Sequence, residues 1–180
     1  APTTPADHRT LTSDNGPRHK LTTNDNGDQV ILKIGASVDD ELDGQPSVDA
    51  GKTTGGDDNN SIPAGGANDE DGIDPGTVPL FVLSQTTTLN IPVMNMTDQD
   101  AKLTVYIDFN KNGDFGAGEM FSTIVPDGAT TATVSIPVPI SAVVGHDVGI
   151  RLRLKDADEP MSPYGPAQSG EIEDHTIQVI

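Results

Sequence analysis

The chain has no cysteine and no tryptophan. Without cysteine no disulfide can staple the fold. That fits a cytosolic protein, and equally a bacterial exported one held together by calcium instead. Aromatic residues are few, two Tyr and four Phe, which argues against a sugar-stacking surface. Basic residues are scarce too. Ten Lys and Arg stand against 28 Asp and Glu, a formal charge of −18. Nucleic acid and anionic membrane surfaces would repel such a chain, whereas divalent cations would be drawn to it. No apolar run is long enough to span a bilayer, so membrane insertion is not expected. There is no H-E-x-x-H and no Ser-His-Asp order, and His8, His19, His146 and His175 are scattered. Asp108 with Glu119, or Glu171 with Glu173, could pair as acid and base, but nothing else points to catalysis, and no enzyme is expected.

What the chain does have is a strand that runs into a loop of oxygen ligands. Leu103, Val105, Ile107 and Phe109 alternate with Thr104, Tyr106, Asp108 and Asn110, the period of a half-buried strand. From Asp108 the pattern is D-x-N-x-N-G-x5-E, with Asp108, Asn110, Asn112, Gly113 and Glu119 in place. This is the spacing of a calcium loop. Side chains two apart in a tightly curled segment converge on one point, and a Glu on the returning chain closes the shell. The Asp114 backbone carbonyl is expected to add a ligand. The flanks are rich in Val, Ile and Tyr, so the loop joins strands and not helices. The same residues also suit a polar hairpin that binds nothing, since Asn-Gly is common turn chemistry.

The remaining length, 180 residues in all, suits one domain with a long arm. Residues 1–27 read as an extended, turn-rich linker that opens on Pro and Thr. Residues 28–77 begin with a short strand over Asp28–Gly35, carrying Val30, Ile31, Leu32 and Ile34, and then turn acidic. Asp39, Glu41, Asp43, Asp57, Asp58, Asp69 and Asp71 lie there, with Lys52 the only base between 39 and 74. Such a span is either a solvated linker or an arm ordered by further cations. From 78 to 180 the chain reads as strands: Val78–Leu83, Thr88–Met94, the loop strand, Met120–Val125, Thr131–Val138, Asp147–Lys155 and Ile172–Ile180. Arg151, Arg153 and Lys155 are expected to point outward. The fold class expected is all-β: an antiparallel β-sandwich, jelly-roll-like, with a long acidic, metal-ordered N-terminal arm. Glu171 and Glu173 share one face of the last strand and Asp174 takes the other, a second acidic group that could join the arm in binding metal. The acceptor pattern for N-glycosylation occurs at Asn59-Asn60-Ser61 and Asn95-Met96-Thr97.

Several of these stretches, taken in order, resemble the GEVED domain family and the Asp-rich region that commonly precedes it. Gly170-Glu171-Ile172-Glu173-Asp174-His175 is similar to the signature itself. Ile107–Phe115 with Gly118-Glu119 resembles its acidic loop, and Ile150–Leu154 its arginine strand. Pro17-Arg18-His19, Leu32–Pro46, Gly56-Asp57-Asp58 and Asp69–Ile73 resemble the upstream blocks. Tyr106 stands where the family usually has Trp, Asn112 where it has Asp, and His175 where it has Tyr. The resemblance implies a secreted or cell-surface bacterial protein, adhesin-like and without catalytic activity. On this reading the chain is a calcium-binding structural or adhesive module, one link in a repeat array or filament. Its partners would be neighbouring copies or domains, head to tail, with strand donation across an open edge. The alternative is a calcium-dependent module that binds a carbohydrate or a peptide on a surface.

Overall fold

The computed structural model describes residues 15–27, 29–38, 71–74 and 76–180. Eight strands form in order: β1 (Thr22–Thr23), β2 (Val30–Ile34), β3 (Thr86–Asn95), β4 (Ala101–Ile107), β5 (Met120–Val125), β6 (Thr131–Pro137), β7 (Asp147–Asp156) and β8 (Glu171–Gln178). They make two antiparallel four-stranded sheets, β1-β2-β3-β6 and β5-β4-β7-β8. Among the described residues there is no helix.

The alternating pattern decides which faces meet. Leu89, Ile91 and Val93 of β3, with Ala132, Val134 and Ile136 of β6, point inward from the first sheet. Leu103, Val105 and Ile107 of β4, with Ile150, Leu152 and Leu154 of β7, meet them from the second. Both sets belong to one continuous core, the arrangement of a β-sandwich. Ile73 and Phe81 plug the same core from the connecting segment.

The segment Val78–Leu83 does not form the expected strand. Only Phe81 makes a bridge, parallel to Val179, while Val78 turns back to bond the Asp74 carbonyl. Pro92 lies within β3, not on an edge strand; it sits just beyond the last residue paired with β2, Val93 opposite Ile34. The Pro92 carbonyl still accepts from Gly35 N–H (2.9 Å), so the missing N–H removes one bond at the very end of the pairing with β2. The two-residue strand β1 lies in a stretch that reads from sequence as turns.

Over β4 and β7 the second sheet is covered on both faces. In β4 and β7 residues of both parities are buried, because residues 157–170 and the segment around Arg18 and His19 lie over the outer face. Arg151, Arg153 and Lys155 do face away from the core, yet they are buried and not solvated: Arg151 is 0 % exposed. Gly170 makes the turn into β8, with φ +84; a Cβ there would lie 1.9 Å from the Leu154 carbonyl oxygen.

Candidate metal centre

The loop from Asp108 to Glu119 starts where β4 ends and finishes one residue before β5. Its ends are pinned by the sheet: Ile107 N–H donates to the Glu119 carbonyl (2.9 Å) and Asp108 N–H to the Gly149 carbonyl (2.9 Å). Three left-handed residues, Lys111 (φ 55), Gly113 (φ 78) and Gly118 (φ 89), curl the chain between them.

The side-chain oxygens turn inward on the loop's own backbone. Asp108, fully buried, accepts from Asn112 N–H (3.0 Å) through one oxygen and from Gly113 N–H (2.9 Å) through the other. Asn110 Oδ1 accepts from the same Asn112 N–H (3.1 Å), so oxygens from Asp108 and Asn110 converge. Asn112 Oδ1 accepts from Asp114 N–H (2.9 Å). Glu119 reaches back across the loop, one oxygen taking Asn110 Nδ2 (2.8 Å) and the other Gly116 N–H (2.7 Å).

The donor set is all oxygen, hard, and carries two buried carboxylates, Asp108 and Glu119. That chemistry fits calcium. One contact has to change on binding. Asn110 presents its amide nitrogen to Glu119, and a cation would require the oxygen there instead, at the cost of the bond to Asn112. Among the described residues no three acidic or histidine side chains come close enough to hold a metal alone. A cation here would depend on the Asn oxygens and a backbone carbonyl. Asp114 is engaged elsewhere: its Oδ1 accepts from the Tyr164 hydroxyl (2.5 Å) and from Phe115 N–H (2.9 Å).

Tyr164 links the loop to the covering segment, a connection with no signal in the sequence. Phe115 lies between Tyr106 and Tyr164, with ring centroids 5.6 and 6.2 Å apart, and the Arg151 guanidinium sits 5.5 Å from the Phe115 ring. Arg151 also grips Asp174 with two bonds (2.7 and 2.5 Å) and donates to the Pro163 carbonyl. Arg153 donates to the carbonyls of Ser162, Tyr164 and Gly165 and to His19 Nε2 (2.8 Å). Lys155 donates to the Pro160 carbonyl. These three cations are thus the anchors of the covering segment. Burial lowers the Arg153 pKa to about 10 and also lowers that of Lys155, and it raises the Tyr106 phenol.

The acids of β8 divide between the two faces. Asp174 belongs to the arginine side and does not meet Glu171 or Glu173. Glu171 and Glu173 are buried on the other face with His175. Glu171 accepts from Ile34 N–H (2.5 Å), and Glu173 from Gly72 N–H (2.9 Å) and His175 Nε2 (2.8 Å). Asp71 accepts from Ala36 and Ser37 N–H groups. Asp71 and these β8 acids tie the start of the 71–74 segment, β2 and β8 together. Asp39, Glu41, Asp43, Asp57, Asp58 and Asp69 lie outside the described residues, as do Asn59 and residues 1–14. Asn95 does not suit glycosylation: it is fully buried and its Nδ2 donates to the Gln99 and Val125 carbonyls.

The fold and loop define an all-β domain of two antiparallel sheets built around an acidic turn. Residues 102–178 match the model of the GEVED domain family. The match takes in the loop, the arginine strand and the β8 acids. No curated protein matches the chain. Among solved structures, the ASH/PapD-like domain of human CEP192 (PapD-like domain 7) is similar at 16 % identity and a TM-score of 0.29, over 57 % of this chain and 78 % of that one. That likeness is too distant to bear on function.

Proposed function

We infer that the chain is a non-enzymatic, calcium-stabilised structural and adhesive module of an extracellular bacterial protein. The observation that carries this is the Asp108–Glu119 loop: Asp108, Asn110, Asn112 and Glu119 turn oxygen atoms into one curl, pinned at both ends by the sheet. Calcium would be held there with the Asp114 carbonyl. It would supply charge neutralisation and cross-linking of the loop, not chemistry on a substrate. The aromatic rings beside the loop are engaged with one another and with Arg151, which favours a structural role over a sugar-binding one. In this reading the acidic segment within 28–77 is ordered on the domain by further cations, and 78–180 is a jelly-roll-like sandwich. Arg18, His19, β1 and β2 also belong to that sandwich and are not linker.

An open half-edge supports assembly in series. The backbone of Thr88 and Asn90 in β3 points away from β6, on the side where β2 has ended, and pairs with nothing among the described residues. A groove of about 280 Å³ runs beside it, walled by Ile73, Val78 and Pro79. An extended segment from a neighbouring copy or domain could pair there.

Thermal melting with calcium and with chelator tests the calcium reading. Calcium at a hundred times its dissociation constant should stabilise by about 2.7 kcal/mol. Asp108→Ala should abolish that response. Identical melting of the unaltered chain in calcium and in chelator would count decisively against it.

A further inference from the structure

A sheet edge offers unpaired backbone groups to another chain, and the four edges here are protected unequally. β8 carries Glu171, Glu173 and Asp174. β1 is two residues long. β6 exposes Thr131, Thr133 and Ser135 and ends in Pro137. β5, Met-Phe-Ser-Thr-Ile-Val, has no charge and no proline, and it exposes Met120 (42 %) and Ile124 (48 %). In a chain of charge −18 only an uncharged edge lets a like-charged copy approach; β6 is uncharged too, but β5 alone of the two adds exposed apolar side chains and lacks proline.

The hydrogen-bond parity of β5 is set by its pairing with β4. Ile107 bonds Glu119, so Phe121, Thr123 and Val125 direct their backbone to β4. Met120, Ser122 and Ile124 therefore direct theirs to the side that has no partner strand among the described residues. Two copies of this strand brought together antiparallel have one register in which all three outward residues pair. Ser122 then faces Ser122 on a two-fold axis, and Met120 faces Ile124 on either side of it. Side chains of paired residues share a face, so each exposed Met lies against an exposed Ile.

We propose that β5 is a self-pairing edge through which two copies of this chain join into one continuous eight-stranded sheet. The contact is isologous and closes on itself. It goes beyond the joints along an array proposed above, because it ties two copies side by side and needs no calcium. A six-residue edge buries far less than a standard interface, so the association is weak and reversible. Charge opposes it, so added salt strengthens it.

The absence of cysteine makes the test clean. In a hydrogen-bonded antiparallel pair the Cα atoms lie about 5.5 Å apart, a separation a disulfide spans. Ser122→Cys should therefore form a covalent dimer under mild oxidation, faster at high salt. Thr133→Cys, on the polar β6 edge, should stay largely monomeric. Adding Ile124→Lys to Ser122→Cys should abolish the cross-link while thermal melting shows the fold intact; Met120→Lys makes the same test should the first variant melt early. Failure of Ser122→Cys to cross-link, equal cross-linking at Thr133→Cys, or indifference to both lysine variants would overturn the proposal. None of these outcomes depends on calcium, so the metal reading stands or falls separately.

Discussion

The two sheets carry nearly the same alternating sequence pattern and meet different fates. In β3 and β6 every inward aliphatic residue is buried, and the outward Thr, Asn and Ser face water. In β4 and β7 the alternation is as regular, yet Thr104, Tyr106, Arg151, Arg153 and Lys155 on the outward face are buried as well. Alternation shows which side of a strand meets the core. It does not show whether the other side is wet. The second sheet is covered because its outward cations have found backbone carbonyls in residues 160–165, each bond replacing one to water.

The most direct way to break this contrast is Arg153→Ala. It leaves the Ser162 carbonyl and His19 Nε2 without their donor, and the Tyr164 and Gly165 carbonyls with only Ser162 Oγ and Arg18 N–H, respectively. A loss of roughly 3–5 kcal/mol in urea denaturation is expected. Thr133→Ala, at an outward position of the exposed sheet, should stay within about 0.5 kcal/mol. Equal small losses would mean the cover contributes little.

Asp108→Ala comes next. Apart from any metal, it strands the buried Gly113 N–H and leaves Asn112 N–H with Asn110 Oδ1 alone. A cost of about 2–3 kcal/mol in chelator is expected. The loss should be larger in calcium, where the unaltered chain gains and the variant does not.

The loop was legible in the sequence because its bonds are local. Asp108, Asn110, Asn112 and Glu119 lie within twelve positions, and a curled segment leaves their oxygens few directions to take. Most strands were legible for the same reason, as period-two runs between turns. What the sequence did not disclose depends on contacts between distant residues. His19 meets Arg153 and Ser169, and Tyr164 meets Asp114. Neither pair shares a strand or a spacing rule. Charged side chains on a strand ordinarily signal solvent, so burial of Arg151, Arg153 and Lys155 ran against the usual reading. Pro17-Arg18-His19 stood out through family resemblance only, with no physical role until Arg153 was seen to donate to His19.

Acid provides a milder probe of the covered face. Burial, reinforced by the Arg153 charge, lowers the His19 pKa from 6.5 to about 3. Both ring nitrogens are in use: Nδ1 donates to the Ser169 carbonyl (2.5 Å) and Nε2 accepts from Arg153. Protonation would place a second N–H against a guanidinium. The folded state therefore excludes a proton that the unfolded chain binds below pH 6.5. Stability from this group is complete above that pH and declines as pH falls from there toward 3. Between pH 6.5 and 5, before most carboxylates titrate, a loss on the order of 1–2 kcal/mol is expected. His19→Gln, which cannot titrate, should remove that slope. Parallel pH profiles for both proteins would show that His19 is not held neutral.

The smallest expected effect tests whether the covered face and the loop act together. Tyr164→Phe deletes one hydroxyl and keeps the ring against Phe115. The Tyr164 side chain is the bridge from the covering segment to Asp114, so the variant separates the two regions without hollowing either. A stability cost of about 1 kcal/mol is expected from the lost charge-assisted bond. The more informative readout is a double-mutant cycle with Arg153→Ala. Arg153 holds the Tyr164 carbonyl and the hydroxyl of the same residue holds the loop, so the two losses should be less than additive. Once Arg153 has gone and residues 162–165 are released, the hydroxyl has little left to anchor. Strict additivity would mean that the loop is organised by its own backbone bonds alone, and that the cover is a separate device on the same sheet.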